Sequence, residues 1–544
     1  MLADYHQFED WPPPFVQIGE RPKALTAFVG DCRDEPLAPS KLTGTVIGPE
    51  LTEHADKAPT KGINNDLVAV CFRVDDPRNG HLPLQELDAY AEEFVDLVLQ
   101  DRTLEPLSIE QVVVLQDGPL QRARNLLALP WTLSVCAVVR VQAMLKMEPT
   151  AKAAPRVIST MQPEFNLKLS RFTLPLAEFL KKETNWYGAG KPPEKVAQII
   201  VDLARDRDEL MCADVSKMDA RKNCRLTAKL LLRMMIRSFP DSQDEIADLR
   251  RGEVNERAVT DHRGIVPGVK YQLAGGQPSG SADTTIDNTI ANAFMAYAGL
   301  RIAGESPEEA LVDMGIFVGD DSVSRVGEKE LLEAAEKIGY KVTPEVIKRG
   351  EEVTFLSRFF PNCWDGDLGS YQDPVRLLRK AHLSFSDPSR FSVQSMAINK
   401  WRGYTELDPS CSLYTAIHRV LSKITGLRGQ LVPTDMPYIM QEYLKQGYSG
   451  WPQAVDADER IHARLQVEYS TFVQWLVDVH TFEDWLRGPG WKCPAGSVVK
   501  IPEAQIADET DPWEANVQAN REGEAPPPSC TTGEEGRKAR VEGE

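Results

Sequence analysis

Apolar and polar positions recur along this chain with two different periods, and the changes of period mark its elements. Leu84–Leu99, with apolar residues at helical spacing, predicts an amphipathic helix, Arg221–Ser238 repeats that spacing, and Phe165–Lys182, Glu194–Arg205, Thr284–Leu300 and Glu328–Ile338 are further helix candidates. Short apolar runs predict strands at Val68–Val74, at Leu210–Ala213 leading into Asp214, and at Val353–Phe360. Met314–Val326 predicts strand, tight turn, strand, with Gly319 supplying the backbone freedom of the turn. Residues 1 to about 60 are rich in Pro and Gly and predict a loop-rich lead-in. Gly275–Gly280 predicts a flexible loop, and Asp373 to about Trp491 is mostly helical in pattern. From Pro502 onward the chain is acidic, carries Pro526-Pro527-Pro528 and has few large apolar residues, so a disordered tail is expected. No internal repeat is visible. The longest apolar stretch, Leu126–Val139, is 14 residues long, contains Pro130 and ends at Arg140. A membrane span needs about 20, so a buried helix or strand is expected there, and no intrinsic transmembrane segment.

Composition changes this picture in two places. At 544 residues the chain has length for a large core, and 42% hydrophobic with 26% charged residues fits an ordinary globular protein. A net charge of −19 runs against the basic balance first expected of a nucleic-acid enzyme. Part of it is the tail, where Glu503–Glu544 holds eleven acidic residues against four basic ones. A basic channel inside an acidic shell still attracts phosphate locally. The nine cysteines form no CxxC pair and the eight histidines no zinc-spaced cluster, which points to a reducing compartment and away from disulfides or structural zinc. The first residues lack the layout of a signal peptide.

The chemistry lies in carboxylates at the ends of apolar runs. Asp214 and Asp219 stand five residues apart after one run, and Gly319-Asp320-Asp321 sits inside another. Alone, Gly-Asp-Asp is a common solvated turn. Carboxylates at the ends of two strands, however, can converge on Mg²⁺, which takes oxygen ligands from carboxylates and substrate phosphates. Two such ions can clamp the attacking and leaving oxygens of a phosphoryl transfer, the chemistry of a nucleotide polymerase. Asp219 would lie near the sugar of a bound nucleotide, or cap a helix, or both. Thr284, Asn288 and Asn292 are four apart and share one helix face, aimed at solvent or at something polar. Ser279-Gly280 before them lets the backbone approach a template or nucleotide closely. Lys146, Lys152 and Arg156 form a basic Pro-bearing segment that suits a triphosphate clamp, unless it is merely solvated. Lys341 and Lys348 could each bring an ammonium to the pyrophosphate leaving group as a general acid.

In their order these residues resemble the motifs of a viral RNA-dependent RNA polymerase. Asp214-x4-Asp219 resembles motif A, Ser279-Gly280-x3-Thr284-x3-Asn288 motif B, and Gly319-Asp320-Asp321 motif C. Gly339 through Lys348 resembles motif D, Phe355-Leu356-Ser357-Arg358-Phe359-Phe360 motif E, and Lys146 to Arg156 motif F. The likeness covers about residues 146–360. Pro155-Arg156-Val157-Ile158-Ser159-Thr160, Leu167-x-Leu169-Ser170, Asn185-Trp186-Tyr187-x-Ala189-Gly190-Lys191 and Asp373-Pro374-x-Arg376-Leu377-Leu378 resemble nodavirus and noda-like polymerases of positive-strand RNA viruses. Two departures stand out. Such chains are usually much longer, with membrane-anchoring and capping regions whose functions are not carried over. Ser322 also follows Asp321 where the nodavirus turn would have Gly.

The resemblance implies an α+β right hand. The expected parts are an N-terminal extension and fingers (1–205), a palm with an antiparallel sheet (206–372) interrupted by a finger segment at about 240–275, a helical thumb (373–500) and the acidic tail (501–544). It implies RNA synthesis on an RNA template from ribonucleoside triphosphates, for viral genome replication. Asp214, Asp320 and the Val215 carbonyl would hold two Mg²⁺ ions, for which Mn²⁺ could substitute, with Asp321 as a further ligand. One ion would lower the pKa of the primer 3′-hydroxyl and the other stabilise the leaving pyrophosphate. Asp219 and Asn288 would check the ribose 2′-hydroxyl, with Ser279, Gly280 and Thr284 in support. Phe355, Leu356, Ser357 and Arg358 would grip the primer, Lys146, Lys152 and Arg156 the triphosphate, and Lys348 would donate the proton. Partners would be template and product RNA and a membrane-anchored replication partner, in the host cytoplasm. A reverse transcriptase would put a bulky residue near Asp219 to exclude the hydroxyl. A non-catalytic replicase scaffold would not need Asp214, Asp320 and Asp321 together.

Overall fold

The structure, a computed structural model, describes residues 44–59, 84–116, 119–134, 141–151, 155–254, 275–427 and 450–494. Short pieces at 25–27, 257–260 and 270–273 and a few residues between 65 and 74 complete it. Lys152 and the acidic tail lie outside the described residues. The strands in chain order are β1 (Leu25–Ala27), β2 (Thr45–Val46), β3 (Val141–Leu145), β4 (Val157–Met161), β5 (Glu209–Val215), β6 (Arg257–Thr260), β7 (Lys270–Gln272), β8 (Ile316–Val318), β9 (Asp321–Ser324), β10 (Val342–Lys348), β11 (Val353–Phe355), β12 (Arg358–Phe360), β13 (Tyr371–Gln372) and β14 (Leu383–Ser384). They form sheets ordered β1-β7-β6-β3-β4, β10-β5-β9-β8, β11-β12-β13 and β14-β2. Among these described strands, β3 and β6 pair in parallel and the other strand pairs are antiparallel. Mixed with helices, they make an α+β fold.

The β10-β5-β9-β8 sheet is the centre. Leu210–Ala213 of β5 is apolar because both of its faces are covered there. Met211, Ala213 and Val215 join the largest core, which also holds the helix Thr284–Ala303 and the helix Glu328–Ile338. Leu210 and Cys212, on the alternate face, pack with Ile316, Val323 and Ile347 against the helix Pro193–Ala204 and the β11-β12-β13 sheet. A third core belongs to the helices between 374 and 487, among them Trp401, Tyr414, Leu421 and Trp485. Ile47 and Leu51 of the lead-in are buried in it. The lead-in is therefore tied down there: β2 pairs with β14, Ile47 N–H donates to the His382 carbonyl at 2.8 Å, and Asp56 pairs with Arg379 at 2.9 Å. At Lys57 the same segment exchanges two backbone hydrogen bonds with Thr150, 2.9 and 3.0 Å, beyond the β3 end of the β3–β4 hairpin.

Four expectations need correction. The strand at Val68–Val74 is helical where described, at Ala69, Val70 and Arg73. The stretch from Leu126 lies on the helix Pro119–Ser134, but Leu126, Leu127 and Trp131 face outward, 52%, 77% and 63% exposed. Burial follows the helix's other face, at Asn125, Ala128 and Thr132, so run length alone misjudges it. Arg221–Ser238 is broken at Lys222-Asn223, where Asn223 caps a new turn by accepting from Leu226 N–H at 2.9 Å, and winds as a π-helix over Thr227–Leu232. Val353–Phe360 is a hairpin rather than one strand, turning at Leu356 and Ser357 with φ of 52° and 60°.

Candidate active site

Three carboxylates meet at one end of the central sheet. In the β5–β9 register Asp214 lies opposite Asp321, and in the β8–β9 hairpin Val318 does too. Gly319 and Asp320 form the two-residue turn between β8 and β9, with Gly319 at φ 62°. Positive φ at the first position of a tight hairpin turn selects glycine. Two bonds from the helix Thr284–Ala303 hold the turn. Gly319 N–H donates to Thr289 Oγ1 at 2.9 Å, and Asn292 Nδ2 donates to the Gly319 carbonyl at 3.0 Å. Ser322 suits its place after the acids, since its buried Oγ donates to the Ala213 carbonyl of β5 at 3.2 Å.

Asp214 and Asp320 are exposed and Asp321 is half-buried. Burial, then the charges of Asp320 and Asp214, push the Asp321 carboxyl up to about 6. An all-oxygen, mutually repelling cluster of this kind fits a hard divalent cation. Among the described residues no three acidic, histidine or cysteine side chains close around one point by themselves.

Asn288 Nδ2 donates to Asp219 Oδ1 at 2.7 Å, joining motifs 69 residues apart in sequence. Burial raises the Asp219 carboxyl above its ordinary range. The Asn288 donation and the charges of Arg156 and Lys222 oppose that, while Asp320 adds to it. The shared face of Thr284, Asn288 and Asn292 thus points at protein rather than solvent in its last two members. Thr284 turns away from the pair: its hydroxyl closes the preceding loop onto the Pro278 and Ser281 carbonyls, both at 3.0 Å. Ser279 and Gly280 dock that loop on β4. Ser279 Oγ accepts from Ser159 N–H at 3.1 Å and Gly280 N–H donates to the Ser159 carbonyl at 2.8 Å. A Cβ at Gly280 would stand 2.9 Å from the Thr160 Cα, so no side chain fits there.

The basic segment is partly gathered in. Arg156 precedes β4, is exposed, and acts on Asp219. Lys146 and Arg156 flank the β3–β4 hairpin and share Glu148, at 3.0 and 3.6 Å. Lys348 is not gathered in at all. β10 runs away from the acids, so Thr343 lies opposite Asp214 and Lys348 opposite Glu209, about 17 Å further along at ~3.3 Å per residue. Lys341 is at the acidic end, where its carbonyl accepts from Ser216 N–H at 2.9 Å.

Arg358 is corrected as well. It is buried and pairs with Asp408 at 2.7 Å and Ser370 Oγ at 3.0 Å, so it faces the core. Phe355 is also buried, which leaves Leu356 and Ser357 at the turn. Ser357 accepts from Asp373 N–H at 3.1 Å, and Asp373 caps the helix Pro374–Ala381 by accepting from Arg376 N–H at 3.1 Å. This aims exposed Arg376 toward the acids, where its charge lowers Asp321. Trp186 and Gly188 bond to Phe317 of β8 at 2.9 Å each, so the Asn185–Lys191 motif serves the edge of the central sheet.

Sequence reasoning missed Thr289, and it missed a buried polar cluster beneath the Asp219–Asn288 pair that comprises Lys222, Arg250, Glu253, Gln277, Asp283 and Asp287. The signal available was Asp283 and Asp287, four apart at the start of a helix whose later turns are largely apolar.

Residues 132–370 match the family model described as "Viral RNA-dependent RNA polymerase". The RNA-directed RNA polymerase of Pariacoto virus is 30% identical over 72% of this chain, and that of Pieris rapae virus 31% over 77%. The Flock house virus enzyme is 28% identical over 65%. The matched regions cover 41%, 42% and 36% of those proteins, so the chain spans about two fifths of the length of the curated relatives it matches.

Proposed function

From the premise that residues 132–370 belong to the viral RNA-dependent RNA polymerase family, we propose that this chain adds ribonucleotides to an RNA strand under the direction of an RNA template. The observation that carries the reading is the convergence of Asp214, Asp320 and Asp321 beside the Asp219–Asn288 pair. In this reading the central sheet is the palm within 206–372, the β3–β4 region belongs to fingers within 1–205, and the helices of 373–500 are the thumb. Asp214, Asp320, Asp321 and the Val215 carbonyl would hold two Mg²⁺ ions, or Mn²⁺ in their place. When bound, those ions supply charge to the attacking and leaving oxygens.

The chain's own residues do the rest. Asp219 accepts from the ribose 2′-hydroxyl while Asn288 fixes its carboxylate. Arg156 and Lys146 meet the triphosphate from the fingers side. The Leu356-Ser357 turn bears on the end of the growing strand. Template bases are read by pairing, so the protein supplies phosphate and sugar contacts. Asp219 is an acceptor where a reverse transcriptase needs bulk, and the intact acidic cluster sets the chain apart from a scaffold. No helix among the described residues is long and apolar enough to cross a membrane. We place the reaction in the host cytoplasm beside a membrane-held partner on the family resemblance alone. Incorporation of labelled ribonucleotide on a primed RNA template, with and without Mg²⁺, tests the whole reading. Failure to incorporate under any divalent cation overturns it.

Two predictions arise here. A site built to hydrogen-bond a hydroxyl rejects the analogue lacking it, because its polar groups are left unpaired. Asn288→Ala should therefore narrow the preference for ribonucleotide over 2′-deoxyribonucleotide, read as a ratio of kcat/KM values. An unchanged ratio refutes the sugar pair. The second concerns the proton for pyrophosphate, a step worth about 10²–10⁴-fold. Register moves the expectation from Lys348 to Lys341. Lys341→Leu should slow single-nucleotide addition in pre-steady-state measurements, and Lys348→Leu should be mild. A slower Lys348→Leu enzyme would reverse the assignment.

A further inference from the structure

The sugar pair stands on a buried ionic cluster that the chemistry described above does not use. Its hub is Arg250, from the helix Gln243–Val254, which enters the chain between the two members of the pair. Arg250 is 1% exposed and grips Asp287 with two guanidinium nitrogens, at 2.8 and 2.9 Å. It also pairs with Asp283, and with Glu253 at 2.9 Å. Lys222, 3% exposed, donates to Asp287 at 2.8 Å and to Gln277. Gln277 Nε2 donates to Asp283 at 2.8 Å, and Gln277 N–H donates to the backbone carbonyl of Asp219 at 2.7 Å.

These contacts reach both halves of the sugar pair through the backbone. Asp287 precedes Asn288 in the first turns of its helix, so the Arg250 fork fixes the position from which Asn288 reaches across. Lys222 closes the short helix Met218–Arg221, which carries Asp219, through its N–H to the Met218 carbonyl at 3.1 Å. Gln277 holds the same turn from the other side. The cluster has three carboxylates against two cations and almost no solvent. Burying it is a poor route to stability, since well-packed apolar residues do as well or better. What such a cluster does well is fix geometry, because an arginine–carboxylate fork has one arrangement.

We propose that Arg250, through its fork on Asp287 and the Lys222–Gln277 arm, is the positioning residue that sets selection of the ribose 2′-hydroxyl. The inference rests on the sugar pair read above. Hydroxyl recognition demands placement within about 0.5 Å, and misplacement by ~1 Å can cost on the order of a hundredfold. Arg250 touches no substrate, so its influence passes wholly through the spacing of Asn288 and Asp219.

The test is Arg250→Lys, which keeps the charge and loses the fork, with Asp287→Asn beside it and Asn288→Ala as the reference. Each is assayed in the full chain for kcat/KM with a ribonucleoside triphosphate and with its 2′-deoxy counterpart on a primed RNA template. Arg250→Lys should lower the ribonucleotide value by about tenfold or more and leave the deoxyribonucleotide value in place, as Asn288→Ala does. General loosening of the fold would lower both alike, and that result overturns the proposal. A ratio unchanged in Arg250→Lys and Asp287→Asn but reduced in Asn288→Ala also overturns it and leaves the sugar pair standing. A ratio unchanged in Asn288→Ala removes the sugar pair and the proposal together. If Arg250→Lys does not fold, Asp287→Asn and Glu253→Gln, each of which removes one negative charge facing Arg250, decide the question by the same ratio.

Discussion

Asp320→Ala should abolish nucleotide addition while leaving RNA binding largely intact. Asp320 is exposed at the tip of the β8–β9 turn and its partners in the cluster are carboxylates, so removing it relieves repulsion within the folded protein. The fold should survive. In the proposed reading, what is lost is an oxygen ligand at a site where charge neutralisation would be worth several kcal/mol in the transition state. Several kcal/mol is a loss of roughly three or more powers of ten, at about 1.36 kcal/mol each. Asp214→Ala should behave alike, since Asp214 lies opposite Asp321 in the sheet. Single-turnover addition of one labelled ribonucleotide to a primed template, with filter binding of the same RNA, measures both effects. Turnover by Asp320→Ala near the wild-type rate would remove the site from this end of the sheet.

Asp408→Ala should cost the protein about 3–5 kcal/mol of stability, the usual result of leaving one buried charge without its partner. Arg358 and Asp408 are almost fully buried and paired at 2.7 Å, and Asp408 also accepts from Gln372 N–H at 3.0 Å. The pair joins the β11-β12-β13 sheet to the C-terminal helices. Arg358→Ala should show the same fall in thermal unfolding temperature with no selective loss of primer affinity, unlike the result for a primer-gripping arginine. Joint replacement, Arg358→Met with Asp408→Leu, should recover much of the stability, because apolar substitutes of similar volume are tolerated where a lone charge is not. If Asp408→Ala unfolds at the wild-type temperature, the pair is not holding those layers together.

The parts of the site legible in the sequence are those fixed by local pattern. An apolar run, a glycine and two aspartates specify a hairpin with acids at its tip, because the turn needs positive φ and the strands need burial. The helix from Thr284 was legible because its apolar positions recur over five turns. Asn288 and Asn292 stood out as polar positions; the resemblance brought Asn288 to Asp219, while only the fold shows that Asn292 faces Gly319. Lys348 was misjudged because its distance from Asp214 depends on the direction of β10, and direction follows from pairing with β5, more than a hundred residues away. Arg358 and Arg250 look like surface charges in sequence. Their burial depends on Asp408, Asp283 and Asp287, which are 50, 33 and 37 residues distant. Long-range ion pairing leaves no period behind it.

Under the proposed function, the tie between Lys57 and Thr150 would bear on how long the protein stays with one strand. The lead-in is fastened to the C-terminal helices at one end and to the β3–β4 hairpin at the other, and the chain joins those two regions again through the central sheet. In the proposed reading, where those regions are fingers and thumb, such a path would enclose a strand held between them, which would then enter by its end or when the tie parts. Two backbone hydrogen bonds contribute about 1–3 kcal/mol net, so parting is an ordinary thermal event. If the chain copies RNA as proposed, processivity would come from enclosure, and a protein of net charge −19 would not need to grip the polyanion hard.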